Sequence, residues 1–310
     1  MLTLGIDTSN YTTSAAFCDG ARILHERRPL PVKPGTLGLR QSDALFHHTL
    51  QLPELLEALF SQAGTGEPLA AIGVSDKPRN AEGSYMPCFL PGVATARSLA
   101  AALGIPLFKF SHQQGHLAAA LFSSGQSALL EKDFIAFHVS GGTTECLLVK
   151  PGLEVEILGG SGDLKAGQLV DRIGVLLGYP FPAGPAVDAL AQEGSLIKGI
   201  QPSIDGMTCS FSGLETKLRQ MYTRGVSKAD VALYCLISIA VNLESLAQGA
   251  IIRHGALPML FTGGVCCSNV IRGLLGERFP EALFADPEFS GDNAAGIAML
   301  AGVGMGMEIN

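Results

Sequence analysis

The stretch FIAFHVSGGTTECLLVK, residues 134–150, repeats the outline of the beginning of the chain. In both places an apolar run leads into a short turn that is rich in Ser and Thr, and a second apolar run follows. An alignment without gaps matches three hydroxyl residues at a constant separation of 131 positions: Ser9 with Ser140, Thr12 with Thr143, and Thr13 with Thr144. Two matching hairpins predict two similar lobes, although chance is a rival explanation because Ser and Thr are common in turns.

Strand and helix patterns alternate along the rest of the chain. Apolar strand patterns at 69–75 and 105–111 are each followed by a helical pattern. A longer helical spacing at 40–64 is closed by Gly64, and Pro53 leaves open whether that helix is split or kinked. Strands that alternate with helices indicate an α/β fold.

The chain contains no linker or low-complexity segment between its halves. We therefore expect two closely packed lobes, residues 1–132 and residues 133–310. A final helix at 292–307, beginning at Asp292, is expected to pack at the interface between them.

The composition excludes several classes of protein. Charged residues make up 16% of the chain and hydrophobic residues 47%, which is typical of a folded protein with a large core. The net charge of −7 argues against a broad basic surface for nucleic acid. The first residues do not resemble a secretory signal, and the apolar runs are shorter than the roughly 20 residues of a membrane span, so we expect a cytoplasmic protein without a membrane segment. The seven cysteines lack a C-x-x-C pair and are expected to be reduced core residues.

Three Gly-rich segments follow apolar strand patterns, at 139–144, 159–163 and 262–269. Turns of this kind expose successive backbone N–H groups, which bind phosphate oxygens, although each one alone could be a simple tight turn. Taken together, the three favour a nucleotide site. The chain has no Walker-type P-loop, no dinucleotide fingerprint and no serine-hydrolase elbow, so those classes are disfavoured.

His112 and His116 lie four positions apart at the head of an apolar helical pattern. Such a pair places both imidazoles on one helix face, where they can share a metal ion or be purely structural. Gln113 stands where a zinc protease would have its catalytic glutamate. The pattern therefore argues against a zinc protease. Asp292 is a candidate third ligand, although an N-cap role would explain it equally well.

These segments together resemble the universal tRNA threonylcarbamoyladenosine transferases, the TsaD family, once called O-sialoglycoprotein endopeptidases. HQQGH resembles the family's HMEGH, VSGGTT its VSGGHT, and SFSGLET its SFSGLKT. The segments AGQLVDRIGVLLGYPFPAGPAVDALA, TGGVCCSNVIR and SGDNAAGIAM are similar to AGEAFDK…LLG…YPGGP…D, GGVAAN…LR and TDNAAMIA. The matches follow the family's order from residue 4 to about residue 302.

The resemblance implies a two-lobed actin and sugar-kinase ATPase fold, built of two RNase H-like subdomains with a nucleotide in the cleft. It implies that His112, His116 and Asp292 bind a divalent metal, either iron(II) or zinc. It also implies a site for ATP or threonylcarbamoyl-AMP, formed by the following residues: His138, Val139, Ser140, Gly141, Gly142, Asp171, Gly184 and Ser268. Ser268 stands in place of the family's nucleotide-binding asparagine.

The implied reaction is metal-dependent transfer of a threonylcarbamoyl group from threonylcarbamoyl-AMP to N6 of the adenosine beside the anticodon of tRNA. The amine attacks an activated carbonyl, so no protein nucleophile is implied and the catalytic residues stay unassigned. The implied partners are tRNA and other proteins of the threonylcarbamoyl-transfer complex, and a homo-oligomer stays open. The old peptidase label has little support, because the chain lacks a protease motif.

Several positions depart from the family pattern. Tyr11 and Thr12 replace an acidic pair, Thr143 replaces a histidine, and Glu215 replaces a lysine. A longer segment at 75–92 replaces the family's short RGPGL turn. These departures support an alternative prediction: a divergent paralogue that binds nucleotide and metal as a regulatory or assembly module, without modifying tRNA.

Overall fold

Each half of the chain builds its own β-sheet. The structure, a computed structural model, describes residues 1–9, 11–31, 39–64, 67–195, 199–291 and 293–308. Contacts divide the chain into unit 1, residues 1–130 with 291–310, and unit 2, residues 131–290. The C-terminal segment thus falls in unit 1, whereas the sequence analysis assigned all of 133–310 to the second lobe.

The sheet of unit 1 has the strand order β3-β2-β1-β4-β5. Its strands are β1 (Leu2–Asp7), β2 (Thr12–Cys18), β3 (Ile23–Pro29), β4 (Leu69–Lys77) and β5 (Leu107–Ser111). The first three strands form an antiparallel meander, and β4 and β5 continue the sheet in parallel with β1. The long apolar stretches of β1 and β4 are buried, as expected for central strands.

The sheet of unit 2 has the order β12-β11-β6-β7-β8-β10-β9. Its strands are β6 (Phe134–Val139), β7 (Thr144–Lys150), β8 (Glu154–Ser161), β9 (Ile204–Asp205), β10 (Thr208–Cys209), β11 (Met259–Thr262) and β12 (Leu283–Phe284). Strands β6 to β8 form an antiparallel meander, while β11 is parallel to β6 and β12 is parallel to β11. The order and directions of the first sheet therefore recur in the second.

The two opening hairpins share their register as well as their topology. Asp7 lies opposite Ser14 in the first hairpin, and His138 lies opposite Glu145 in the second, each residue 131 positions after its counterpart. Thr3 pairs with Cys18 in the first hairpin, and the corresponding residues Phe134 and Val149 pair in the second. A one-residue slip would turn every side chain to the other face of the sheet. The prediction of two similar lobes is therefore confirmed at the level of individual residue pairs.

Helices cover both sheets within the described ranges. They are α1 (Gln41–Ala63), α2 (Leu90–Leu103), α3 (His112–Ser123), α4 (Ala166–Leu176), α5 (Gly184–Ala191), α6 (Ser212–Thr223), α7 (Lys228–His254), α8 (Asn269–Arg278) and α9 (Ala295–Gly304). Helix α1 continues through Pro53, and its buried residues recur every three or four positions, so that one face lies on the sheet. In the part of the chain that is described, α7 is long and apolar enough to cross a membrane, but more than half of its most apolar window is buried, as in a core helix.

Helix α9 packs closely on the sheet of unit 1. The Oγ1 of Thr3 donates a hydrogen bond of 2.8 Å to the carbonyl of Ala298, and a Cβ at Gly5 would lie 2.4 Å from Ala294 O and Ala298 N. The helix begins at Ala295, so the prediction that it starts at Asp292 was wrong. Asp292 itself lies outside the described residues. The close approach of α9 to β1, which needs a glycine at position 5, explains why the end of the chain belongs to unit 1.

We predict that Gly5→Ala lowers the free energy of unfolding by about 1–3 kcal/mol, because the new methyl group would push α9 away from β1. Urea unfolding followed by circular dichroism would measure the change. Gly273→Ala in α8 is the matched control, since a Cβ there meets nothing within 4 Å and alanine favours a helix over glycine by up to about 1 kcal/mol. An unchanged midpoint for Gly5→Ala would contradict the packing described for α9.

Candidate functional site

A tight turn joins β6 to β7 in unit 2. The N–H of Ser140 donates to the carbonyl of Thr143 at 2.7 Å, and the Ser140 hydroxyl accepts hydrogen bonds from the N–H groups of Gly142 and Thr143, at 3.3 and 3.1 Å. Gly141 and Gly142 are exposed, and a Cβ at either would meet open space. The turn is thus fixed from within while its two glycines present accessible backbone.

The N-terminus of α4 lies directly against this turn. The N–H of Gly167 donates to the Ser140 carbonyl at 3.2 Å, and the N–H of Ala166 donates to the Oγ1 of Thr144 at 2.9 Å. A Cβ at Gly167 would lie 2.6 Å from the backbone of Ser140 and Gly141, so only glycine permits the contact. A helix N-terminus carries partial positive charge and favours anions nearby.

A second Gly-rich turn, after β11, lies beside the first. Thr262 pairs with His138 in the parallel ladder of β11 and β6, and the next residue, Gly263, has a φ of +95°. A Cβ at Gly263 would lie 2.4 Å from the carbonyl of Val139. The sheet therefore brings together the turns at 139–144 and 262–269, which are far apart in the sequence. These are two of the three predicted Gly-rich segments.

The third Gly-rich segment, 159–163, was predicted to be a turn. That prediction was wrong for its first residues, which belong to a strand. Gly159 and Gly160 lie inside β8, where a Cβ would come within 2.1 Å of Met207 O and 2.2 Å of Thr144 O respectively. The glycines allow neighbouring strands to approach β8 at an irregularity in its pairing with β7. They serve sheet packing and carry no independent argument for a phosphate.

Asp171 and Gly184, the two expected nucleoside contacts, are joined through one hydrogen bond. The Oδ1 of Asp171, on α4, accepts a bond of 2.8 Å from the N–H of Ala183, the residue before Gly184. Burial raises the pKa of Asp171, and this hydrogen bond opposes the shift. Gly184 opens α5, and a Cβ there would meet nothing within 4 Å.

Ser268 caps a helix in unit 2. Its hydroxyl donates to Asp188 and accepts from the N–H of Ile271 at 3.3 Å, while Asp188 also accepts from the N–H of Asn269 at 3.1 Å. Asp188 is buried and holds the first turn of α8 in place. Asp188 was not predicted as a site residue. The signal for it in the sequence was an acidic residue on the apolar side of a short helix. Ser268 thus has a structural role in addition to the predicted contact with nucleotide.

His112 and His116 form a separate candidate site in unit 1, at the start of α3. Ser111 caps this helix by a reciprocal capping box with Gln114. Both histidines are buried, and their Nε2 atoms lie 2.9 Å apart. The predicted pairing of the two side chains on one helix face is therefore present, with the same nitrogen of each ring facing the other.

Asp7, at the end of β1, orients the histidine pair, and sequence reasoning missed it. Its Oδ2 lies 2.8 Å from the Nδ1 of His112, and it also accepts hydrogen bonds from the hydroxyls of Ser9 and Ser75. The carboxylate is fully buried. A carboxylate on Nδ1 fixes the imidazole tautomer that leaves Nε2 available as a ligand. The available signal was an acidic residue at the end of an otherwise apolar strand.

The donor set fits a divalent metal. Two buried imidazole Nε2 atoms 2.9 Å apart can both reach an ion that lies about 2.1 Å from each. The described residues contain no group of three or more His, Cys, Asp or Glu side chains arranged for a metal, and the third expected ligand, Asp292, lies outside them. Two histidines with one carboxylate suit iron(II) or zinc.

The cysteines are poor candidates for nucleophiles. All seven are free, and all but the half-buried Cys267 are buried. Burial raises the pKa of the Cys146 and Cys235 thiols to about 12. A thiol needs a lowered pKa to attack at neutral pH, so these side chains belong to the core.

Comparison with known families then identifies the relatives of this chain. The sequence model described as TsaD, tRNA N6-adenosine threonylcarbamoyltransferase, matches residues 33–299. The chain belongs to the TsaD family.

Two curated proteins are similar to this TsaD family member. The tRNA N6-adenosine threonylcarbamoyltransferase of Methanopyrus kandleri is 29% identical over 304 residues, which cover 96% of this chain and 86% of the relative. A probable bifunctional tRNA threonylcarbamoyladenosine biosynthesis protein of Methanothermobacter thermautotrophicus is also 29% identical, over 97% of this chain and 55% of its own length. This chain therefore spans about half of the second relative.

Solved structures show the fold class. HypF from T. kodakarensis has a TM-score of 0.64 at 15% identity, over 98% of this chain and 47% of HypF, so the chain spans about half of that protein. The activator of 2-hydroxyisocaproyl-CoA dehydratase from Clostridium difficile, solved with bound ADPNP, has a TM-score of 0.57 at 15% identity, over 97% and 94% of the two chains. At these identities the likeness concerns the fold alone. The predicted actin and sugar-kinase-like α/β fold is confirmed.

Three positions at which this chain departs from the TsaD motifs have clear surroundings. Tyr11 is 46% exposed, and its carbonyl accepts from the N–H of Leu30. Thr143 closes the β6–β7 turn through its backbone. Glu215, on α6, forms ion pairs with Arg172 of α4 at 2.9 Å and with Arg219 at 2.8 Å. The replacement of the family's lysine by Glu215 therefore produces a brace between two helices.

We predict that Glu215→Gln lowers the free energy of unfolding by about 1 kcal/mol at pH 7, and that this difference disappears on acidification. Burial alone would raise the pKa of Glu215, but hydrogen bonds from Arg219 and Arg172 outweigh it and hold that pKa below its usual value. The carboxylate therefore stabilises the fold above the unfolded-state pKa of about 4.3, and the contribution is lost as the pH falls through the lower folded-state value.

Urea midpoints measured from pH 7 down to pH 3.5 would test this prediction. Glu193→Gln, at an exposed position of the same unit, is the control and should behave like the wild type. An equal loss of stability for Glu215→Gln at every pH would argue against the ion pairs as its source.

Proposed function

We propose that the chain is a transferase that moves a threonylcarbamoyl group from threonylcarbamoyl-AMP to N6 of the adenosine beside the anticodon of tRNA. The single observation that carries the proposal is the pair of adjoining Gly-rich turns in unit 2, which contain the segments that resemble the family's VSGGHT and GGVAAN motifs. The names of the curated relatives support tRNA threonylcarbamoyladenosine formation.

In this proposal the cradle of unit 2 binds the phosphate of the adenylate. Gly141 offers a backbone N–H group, the turn at Gly141 and Gly142 carries no side chains, and the N-terminus of α4 adds partial positive charge beside it. Gly184 and Asp171 bind the nucleoside, and Ser268 lies at the start of α8 on the same unit. His138 and Val139 fix the strand end from which the first turn departs.

The acceptor amine attacks the carbonyl of the threonylcarbamoyl group, and AMP leaves. The described cysteines are free but mostly buried, and the proposal requires no covalent intermediate on the protein. The contribution of the chain is therefore to orient the reactants and to stabilise the charge that develops on the carbonyl and the leaving phosphate.

His112 and His116 would hold a divalent ion, iron(II) or zinc, together with Asp292. When bound, such an ion supplies Lewis-acid polarisation of a carbonyl or phosphate oxygen. Asp7 acts through His112: it holds the Nδ1 proton, so that Nε2 keeps its lone pair for the ion. This arrangement supports metal dependence as part of the proposed activity.

The acidic chain would need positively charged surface from other proteins in order to bind tRNA. A net charge of −7 gives it little overall attraction for a polyanion, so we infer that partner proteins of the transfer complex complete the tRNA surface. We place the protein in the cytoplasm, where tRNA is modified.

We predict that this chain, expressed with its partner proteins in a strain that lacks its own transferase, restores threonylcarbamoyladenosine. Mass spectrometry of nucleosides from digested tRNA would measure the modification. The variant His112→Ala, whose folding is verified by circular dichroism, should restore at least tenfold less threonylcarbamoyladenosine if the histidine pair holds the catalytic metal. Absence of modification with a wild-type chain that still binds ATP would instead favour the regulatory paralogue.

We predict that Asp7→Asn weakens binding of zinc or iron(II) by about 10- to 100-fold, because the amide no longer fixes the tautomer of His112. Competition with a metal indicator, under anaerobic conditions for iron(II), would measure the affinity. Asp43→Asn, at an exposed position in the first turn of α1, is the matched control and should bind as the wild type does. Equal affinities for all three proteins would remove Asp7 from the metal site.

A further inference from the structure

Phe181 is exposed on the loop that joins α4 to α5 in unit 2. Its exposed fraction is 74%, the largest of any exposed aromatic residue in the described ranges. A single exposed phenylalanine is not unusual on a protein surface. The loop that carries it, however, is held firmly on both sides and borders the residues assigned to the nucleoside.

Backbone and side-chain contacts anchor this loop. The N–H of Tyr179 donates to the carbonyl of Gly174 at 3.0 Å, and the Tyr179 side chain packs on the core of unit 2. The Nζ of Lys228 donates to the carbonyl of Leu177 at 2.7 Å. The exposure of Phe181 is therefore not the result of a frayed segment.

The far side of the loop is fixed equally well. The N–H of Ala183 donates to Asp171. Ala183 also packs so tightly on α4 that a Cβ at Gly174 would lie 2.2 Å from the Cβ of Ala183. Pro180 and Pro182 flank Phe181 and restrict the backbone on both sides of it. A ring displayed in this way loses little conformational entropy when a ligand covers it.

Phe181 lies three residues before Gly184, the first residue of α5. Because three residues span at most about 11 Å, the Cα atoms of Phe181 and Gly184 lie within that distance of each other. A Cβ at Gly184 would meet nothing within 4 Å, which leaves room for a ligand beside the start of α5. Matched without a gap to the family pattern YPGGP, residues 181–185 read FPAGP, so Phe181 stands at the aromatic position of that pattern.

We propose that Phe181 is a stacking platform for the adenine base of the nucleotide that unit 2 binds. The inference rests on the proposed function, in that Asp171 and Gly184 contact the nucleoside of the same ligand. A flat aromatic ring recognises a purine by its face without a hydrogen-bond code, and such a contact is a substantial part of the affinity for a base. The residue would determine the preference for a purine nucleotide over other phosphate compounds.

The absence of tryptophan from the sequence permits a direct test. Phe181→Trp introduces a single fluorophore at the proposed platform, and addition of ATP is expected to quench its emission through stacking. Phe46→Trp introduces a single fluorophore on α1 of unit 1, at a position that is 57% exposed, and serves as the matched control. Its emission should not respond to ATP.

Calorimetry supplies the second arm. Phe181→Ala and Phe181→Leu are expected to bind ATP about 5- to 100-fold more weakly than the wild type, while Phe181→Tyr retains the affinity. Inorganic tripolyphosphate, which lacks a base, should bind all four proteins equally. This pattern separates stacking from loss of apolar surface or of fold, since Leu keeps the bulk and tripolyphosphate reports on the phosphate cradle.

Three results would overturn the proposal, and they differ in what they leave standing. Unquenched Phe181→Trp together with unchanged ATP affinity in Phe181→Ala would remove the platform but leave nucleotide binding intact. Quenching by an anticodon stem-loop RNA and not by ATP would assign the ring to the tRNA instead. Failure of the wild type to bind ATP at all would remove the platform and the proposed function together.

Discussion

The parallel pairing of β6 with β11 is the contact on which the candidate nucleotide site depends. It places Thr262 beside His138, and the next residue, Gly263, lies against the carbonyl of Val139 where no other amino acid would fit. Two turns that are more than a hundred residues apart in the sequence thereby present their backbone at one edge of one sheet. The carboxyl ends of parallel strands are where ligands bind in α/β proteins, because helix N-termini and loops meet there. Here α4 supplies that helix terminus, and Gly167 allows it to touch the first turn.

The same backbone plan is used for different chemistry in unit 1. Asp7 occupies the position of His138 in the repeated hairpin, and the hydroxyl of Ser75, on the parallel strand β4, donates to Asp7. The buried carboxylate is fully engaged by hydroxyls and by His112, as a buried charge must be. One copy of the hairpin thus ends in an acid that orients an imidazole, and the other ends in an imidazole beside a Gly-rich turn. The two hairpins share the strand register, which burial enforces on both faces, while the side chains at their strand ends differ.

The sequence predicts the parts of this structure that depend on local pattern. The alternation of strands and helices, the two hairpins and the His112–His116 pair all follow from periodicity and spacing, and the structure contains them. It does not predict contacts that only the tertiary fold creates. Asp7 reaches His112 across 105 positions, and Asp188 caps α8 across 80 positions, so the local sequence marks each acid as unusual but does not identify its partner. Gly159 and Gly160 mislead because a glycine that admits a neighbouring strand has the same letter as a glycine in a turn. The last helix begins at Ala295, whose N–H donates a hydrogen bond of 3.0 Å to the Oδ1 of Asn293.

The proposal that an acidic chain binds a phosphate presents an apparent conflict, which the geometry of unit 2 resolves. The proposed phosphate cradle is made of backbone: the turn at Gly141 and Gly142, the start of α4, and the turn at Gly263 and Gly264. Such groups attract an anion at contact range without contributing to the net charge of −7. A polyanion such as tRNA is attracted by side-chain cations over a wide surface, which this composition does not favour. The two requirements are therefore separable: a small charged ligand can be held by the fold itself, whereas a large one needs positive surface from another source.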